Sequence, residues 1–201
     1  AYTTDNCQHT YATAGTYSVN VSLINSNGCN SSADLTDIVV SVNPALTSPL
    51  NPNTICSGSV FNYSPTSSIS GSTFSWVRLA NPDILEVVTS GIGNITETLT
   101  NTTGSNVSVT YQVTNTAPSG CAVTENVIVT VQALPTVTVN ALTVCTGSTG
   151  VLTATPSVGG GSYSWSTTEV TQSITVSSAG TYSVTYSVGS CASVPFSVDV
   201  T

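Results

Sequence analysis

Apolar side chains recur at every second position along much of the chain. Tyr17, Val19, Val21 and Leu23 alternate with Ser18, Asn20 and Ser22. Val107, Val109, Tyr111 and Val113 follow the same rule, as do Tyr182, Val184, Tyr186 and Val188. A period of two is that of a pleated strand with one face against a core and the other in water. Shorter stretches of the same kind cover 38–42, 127–131 and 196–200. Asn27-Gly28, Ser119-Gly120 and Gly159–Gly161 supply turn signals between the runs. The residues that favour a helix, among them Lys, Gln and Arg, are scarce. The pattern predicts an all-β chain of antiparallel sandwich sheets.

The chain also repeats itself. The segment from Ala14 to Leu23, AGTYSVNVSL, returns from Ala179 to Val188 as AGTYSVTYSV, with a weaker copy from Val109 to Thr114. Each copy is followed within about a dozen residues by a cysteine (Cys29, Cys121, Cys191), and then by another alternating strand. A second block, Ile55-Cys-Ser-Gly-Ser59, matches Val144-Cys-Thr-Gly-Ser148, and Trp76 and Trp165 each lie 20 residues beyond its cysteine. These repeats divide the chain into residues 1–43, the C-terminal half of a sandwich whose front half is missing, and two further sandwiches at 44–133 and 134–201. Pro44 and Pro135 stand at the joins, where a proline stiffens a short linker. With no long spacer, the units are expected to form a fairly rigid rod of tandem domains, the first incomplete.

Six cysteines without a C-x-x-C spacing point to disulfides and an oxidising compartment, not to a metal ribbon or a redox motif. Their place in the repeats favours one bridge within each complete unit, Cys56–Cys121 and Cys145–Cys191, each contributing about 3–4 kcal/mol by loop closure. Cys7–Cys29 is the remaining pair. The alternative, free nucleophilic thiols, requires a neighbouring His or Lys, and only Cys7 has one, in His9.

Composition narrows the function. The chain has 201 residues, nine acidic side chains, a single basic one and one histidine, for a net charge of −8. Phosphate backbones and anionic membranes are recognised by clusters of Lys and Arg, so neither nucleic acid nor a membrane surface is an expected partner. No apolar run approaches the roughly 20 residues a membrane-spanning helix needs. With 39% hydrophobic residues the chain can still build cores. Residues 1–6 lack the features of a secretory signal, so the sequence reads as a processed chain or a piece of a longer one.

Candidate chemistry is sparse. His9 with Asp5 and a hydroxyl could begin a hydrolase triad, but no Gly-x-Ser-x-Gly elbow accompanies them, and a strand-end histidine is the simpler reading. Asp34 with Asp37, and Asp83 with Glu86, are the paired carboxylates; they are solvated loop acids first and weak Ca²⁺ candidates second. Trp76 shares its strand face with Phe74, and Trp165 with Tyr163, which places both indoles in cores and not on a sugar-stacking platform. Asn20, Asn30, Asn62, Asn94, Asn101 and Asn106 open N-x-Ser/Thr sequons, a by-product of a composition rich in Ser and Thr. No catalytic residue and no bound cofactor is expected.

The segments His9-Thr-Tyr11, Gly15-Thr-Tyr17-Ser-Val19-Asn-Val21 and Asn27-Gly28 together resemble the end of a PKD domain, an Ig-like sandwich of cell-surface proteins. Ile55-Cys-Ser-Gly58, Thr73-Phe-Ser-Trp76 and Gly93–Thr100 are similar to the PKD-like repeats of very large Bacteroidota surface proteins. Cys145-Thr-Gly147, Tyr163-Ser-Trp165 and Gln172–Thr175 are similar to their short Ig-like repeats. The order of these motifs resembles that of the giant gliding-motility adhesins of the SprB type, exported by type IX secretion. The resemblance implies a non-catalytic segment of an extracellular filament or adhesin, with neighbouring repeats and extracellular surfaces or polysaccharide as partners. The competing expectation is a carbohydrate-binding module of a secreted polysaccharide-degrading enzyme, which exposed coplanar aromatics would reveal.

Overall fold

The computed structural model describes residues 9–201, and every regular element in it is a strand. The first four are short. β1 (Gly15–Tyr17) pairs antiparallel with β4 (Ile38–Val40), and β2 (Asn20–Ile24) with β3 (Asn30–Asp34). The two ladders are one hairpin whose register slips by a residue, since Tyr17 faces Ile38 whereas Asn20 faces Asp34. Ser18 and Val19 therefore stand opposite three residues, the geometry of a bulge. Val19 O accepts the Leu35 N–H across it at 2.8 Å. The expected alternation is present here, but its apolar side is open: Val21, Leu23 and Ile38, the partner of Tyr17, are all exposed, Leu23 at 70%. No sheet among the described residues covers them.

The middle segment is a sandwich. β5 (Ile55–Cys56), β6 (Ser59–Tyr63), β7 (Thr73–Arg78), β8 (Ser90–Ile92), β9 (Ile95–Leu99), β10 (Val107–Thr116) and β11 (Ala122–Gln132) build it. One sheet runs β5-β11-β10-β7-β8, and β6 and β9 form the other. The two inner faces meet in one cluster. Phe61, Tyr63, Ile95 and Leu99 come from the small sheet, and Trp76, Val109, Tyr111, Val113, Val127, Val129 and Val131 from the large one. At about 25 cal/mol per Å² of apolar surface removed from water, each fully buried Val or Leu stabilises the fold by about 1.5–3 kcal/mol.

The C-terminal segment repeats the plan with fewer residues. β12 (Val137–Val139), β13 (Gly150–Pro156) and β15 (Ser173–Val176) form one sheet. β14 (Ser162–Trp165), β16 (Gly180–Val188), β17 (Cys191–Ala192) and β18 (Phe196–Val200) form the second, with β16 paired to all three others. Leu152, Ala154, Ile174 and Val176 face Trp165, Val184, Tyr186 and Val200 in a separate core. The two complete sandwiches thus carry the Ig-like, all-β fold expected of the pattern.

Both tryptophans lie in these cores, at 8% exposure for Trp76 and 3% for Trp165. Trp165 Nε1 donates to the Thr171 carbonyl at 2.9 Å. Trp76 reaches across β7 to β8, where its register partner is Gly91. A Cβ at Gly91 would stand 2.6 Å from Trp76 Cζ2, so only glycine admits the ring. We expect Gly91→Ala to destabilise the middle sandwich by about 1–3 kcal/mol through overpacking, read as a fall in the urea midpoint at unchanged m-value.

Candidate functional site

Two features of the molecule carry its chemistry: a disulfide that joins the two sandwiches, and a buried charge cluster inside the first of them.

The disulfide links Cys56 to Cys191, residues 135 apart in sequence, with Cα atoms 5.4 Å apart. This corrects the expected bridges Cys56–Cys121 and Cys145–Cys191. Cys29, Cys121 and Cys145 carry no bond to another described cysteine, and Cys7 and Asp5 lie outside the described residues. The reason is strand length. Cys56 pairs with Gln132 at one end of β11, whereas Cys121 precedes the other end. Eleven steps of about 3.3 Å put roughly 35 Å between them, and a disulfide needs Cα atoms within about 7 Å. In the C-terminal sandwich Val144 donates to the Thr201 carbonyl at 2.7 Å, beside the Val200–Gly180 pair, whereas Cys191 pairs with Val188. The eight steps of β16 from Gly180 to Val188 then separate Cys145 from Cys191 by about 26 Å.

Each sandwich therefore has one cysteine at each pole. In the middle one, Leu46 donates its N–H to Glu125 Oε2 at 2.8 Å, which places the incoming chain near Cys121. The outgoing chain leaves Gln132 beside Cys56. In the C-terminal one, Gln132 Nε2 donates to the Val188 carbonyl at 3.3 Å, so the incoming chain arrives beside Cys191. The distal cysteine of one sandwich is bonded to the proximal cysteine of the next. Between them lies a cleft of about 290 Å³ lined by Asn106, Gln132, Leu134, Pro135, Ser157 and Val188, among others. It contains no titratable side chain.

The second feature involves the single basic residue. Arg78 continues the inward face of β7 after Phe74 and Trp76 and is 1% exposed. Its guanidinium donates to the carbonyls of Glu86, at 3.0 Å, and of Val87. Its Nε lies 3.3 Å from Glu97 Oε2, an ion pair in which the N–H is not aligned for a hydrogen bond. Glu97 sits between Ile95 and Leu99 on β9 and accepts from the Tyr111 hydroxyl at 2.6 Å and from Thr89 Oγ1. Burial, then the hydrogen bond to Glu97 and its charge, push the Tyr111 phenol far above its ordinary value of 10. Its neutral form is favoured in the folded state, so its contribution is complete below pH 10 and is lost as the solution becomes more alkaline. With Arg78 1% and Glu97 12% exposed, these groups form a structural cluster.

Asp34, Asp37 and Glu86 each accept a hydrogen bond from a neighbouring residue. Asp34 Oδ1 accepts from Asn20 Nδ2, and Asp37 Oδ1 from Ser18 Oγ, each at 2.6 Å. The Asp83 carbonyl accepts from Thr102, and Glu86 Oε2 accepts the Thr100 N–H at 2.9 Å. Among the described residues no three His, Cys, Asp or Glu side chains gather where they could hold a metal ion. His9 packs edge-on against Tyr11 at 4.6 Å between ring centroids. The charged pair Arg78–Glu97 was not foreseen as a unit, although its signal was present: each residue occupies an inward phase of its own strand.

Three comparisons bear on this geometry. A family model described as "PKD-like domain" matches residues 53–136. No curated protein matches the chain. Solved structures resemble it weakly. The titin domains Z1Z2 in complex with telethonin share 17% identity, cover 81% of this chain and 97% of theirs, and give a TM-score of 0.35. The fibronectin(III)-like modules of Clostridium thermocellum CbhA share 16%, cover 78% and 92%, and give 0.36. The titin I-band fragment I67–I69 shares 12%, covers 94% and 74%, and gives 0.42.

Removing Glu97 leaves Arg78 buried without its partner. Glu97→Ala should cost about 3–5 kcal/mol of stability in urea unfolding. The double change Arg78→Met with Glu97→Leu, which removes both charges, should cost much less. A second expectation concerns acid. Burial opposes the ionised form of Glu86, but the Thr100 N–H and the Arg78 charge outweigh it and hold its carboxyl below 4.5. A depressed folded value stabilises above the unfolded one and is lost as pH falls through it. The gap in Tm between the native chain and Glu86→Gln should be open at pH 7 and should narrow as acidification protonates the Glu86 carboxyl.

Proposed function

We propose that this chain is a non-catalytic segment of an extracellular bacterial filament or adhesin, of the gliding-motility type, whose domains are stapled head to tail into a stalk. Its partners are neighbouring repeats of the same kind and extracellular surfaces or polysaccharide. The observation that carries the reading is the Cys56–Cys191 bond, which lies between two sandwiches in parallel with the linker at Leu134-Pro135. A chain pulled from its ends transmits tension along covalent bonds. With this bond closed, tension entering at residue 44 passes from Cys56 directly to Cys191 and leaves at 201. Both cores lie largely outside that path. Such wiring limits how far a stalk can unravel.

Two further facts support the reading. The PKD-like match covers the middle sandwich, and among the described residues no three His, Cys, Asp or Glu side chains gather at one place. The polysaccharide-module alternative depends on exposed aromatics; among residues 9–201 no Trp, Tyr or Phe is exposed.

Single-molecule extension tests the proposal. Under oxidising conditions the unfolding of residues 44–201 should release little length. With a thiol reductant, or in Cys56→Ser, the 135-residue bypass opens and should add about 450–490 Å of contour. Equal extension in both conditions would remove the mechanical role.

A further inference from the structure

The bonded pair is one instance of a motif that the chain carries more than once. Cys56 belongs to Ile55-Cys-Ser-Gly-Ser59, and Cys191 follows the turn that ends the long hairpin of its sandwich. Cys145 belongs to the equivalent Val144-Cys-Thr-Gly-Ser148, and Cys121 follows the equivalent hairpin turn. The two Cys-x-Gly turns share a backbone conformation, with Gly58 at φ +79° and Gly147 at φ +82°. Cys145 is exposed at the distal pole of the C-terminal sandwich, beside the outgoing residue Thr201, as Cys56 stands beside the outgoing Gln132. Cys29 follows the Asn25–Gly28 turn of its own hairpin and is likewise exposed.

From this equivalence we infer a pairing rule: the distal-pole cysteine of each unit forms a disulfide with the hairpin-turn cysteine of the unit that follows. Cys145 is then a docking thiol for the hairpin of another β-sandwich of this kind, and Cys29 is the acceptor for such a thiol. Cys121 is the acceptor for residues 1–43. The repeat register, which sets Tyr17 against Tyr111, gives Cys7 the sequence position of Asn101, and Asn101 N donates to Ser57 Oγ next to Cys56. By that sequence position alone the rule pairs Cys7 with Cys121.

The contact is heterologous, a distal pole on a proximal one, so it propagates as an open chain and does not close into a symmetric dimer. The chemistry is two-electron oxidation. The Cys145 thiolate attacks the sulfur of an oxidised small disulfide such as glutathione disulfide and displaces one thiolate. The hairpin thiolate then displaces the second, leaving one Cys–Cys bond and two glutathione thiols, which take up the two protons given up by the cysteines. The rule deepens the stalk reading and rests on it for its setting. The mapping below tests the rule alone, and the extension experiment tests the stalk alone.

The purified chain is incubated in a glutathione redox buffer at rising protein concentration. It is then read on a non-reducing gel and by mass mapping of unreduced peptides. The rule expects Cys56–Cys191 and Cys7–Cys121 within the monomer. It also expects a ladder of covalent dimers, trimers and longer species joined through Cys145–Cys29. Cys145→Ser and Cys29→Ser should each abolish the ladder while leaving the melting temperature unchanged. A species that stops at dimer through Cys145–Cys145 would overturn the rule. So would Cys145 linked inside its own sandwich, Cys7 linked to Cys29, or monomer alone at every concentration.

Discussion

A disulfide can form only where two Cα atoms approach within about 7 Å, and a long antiparallel hairpin holds its two ends far apart. That constraint orders this molecule. The hairpins that give each sandwich its core are the same elements that carry its cysteines to opposite poles. Cys56 sits level with Gln132, and Cys121 sits at the far turn. Neither cysteine can serve its own domain, so each is available only to a neighbour. The bond between Cys56 and Cys191 joins the two complete sandwiches covalently.

The cores have a different logic, in which shape and charge must both be settled. Alternation along β7 places Phe74, Trp76 and Arg78 on one face, and alternation along β9 places Ile95, Glu97 and Leu99 on the facing sheet. A guanidinium that enters an apolar layer must be met there, and Glu97 meets it with help from Tyr111 and Thr89. Such a pair gains little over an apolar one of equal volume, but breaking it is costly. Its effect here is to fix the register of the two sheets: one step of slip would carry Glu97 to the wet face and leave Arg78 alone.

Much of this was legible in the residues themselves. The alternation of Val107, Val109, Tyr111 and Val113 named both the strand and its buried side, and the Phe-Ser-Trp and Tyr-Ser-Trp repeats placed both indoles in cores. The disulfides were misread because the repeat shows which cysteines are equivalent, not which are near. The step that was missing is a count of residues along β11 and β16, and it could have been made from sequence. The open face of Val21 and Leu23 is a different case. Period two predicts an apolar side, but whether a second sheet covers it depends on residues elsewhere.

Charge explains why the joint is covalent. With nine acidic side chains against one basic one, and that one buried in the middle core, among residues 9–201 no exposed Lys or Arg can reach across to an acid on the next domain. Domains of like sign repel when their surfaces lie within a Debye length of about 8 Å, so the end-to-end contact must overcome a small penalty before it gains anything. The apolar contribution at the joint is modest, since Leu134 remains 40% exposed. The direct polar contact there, Gln132 to Val188, is a single neutral hydrogen bond worth about 1 kcal/mol. A disulfide is indifferent to salt and to surface charge. It allows a hydroxyl-rich, nearly cation-free surface to coexist with a firm link between the two domains.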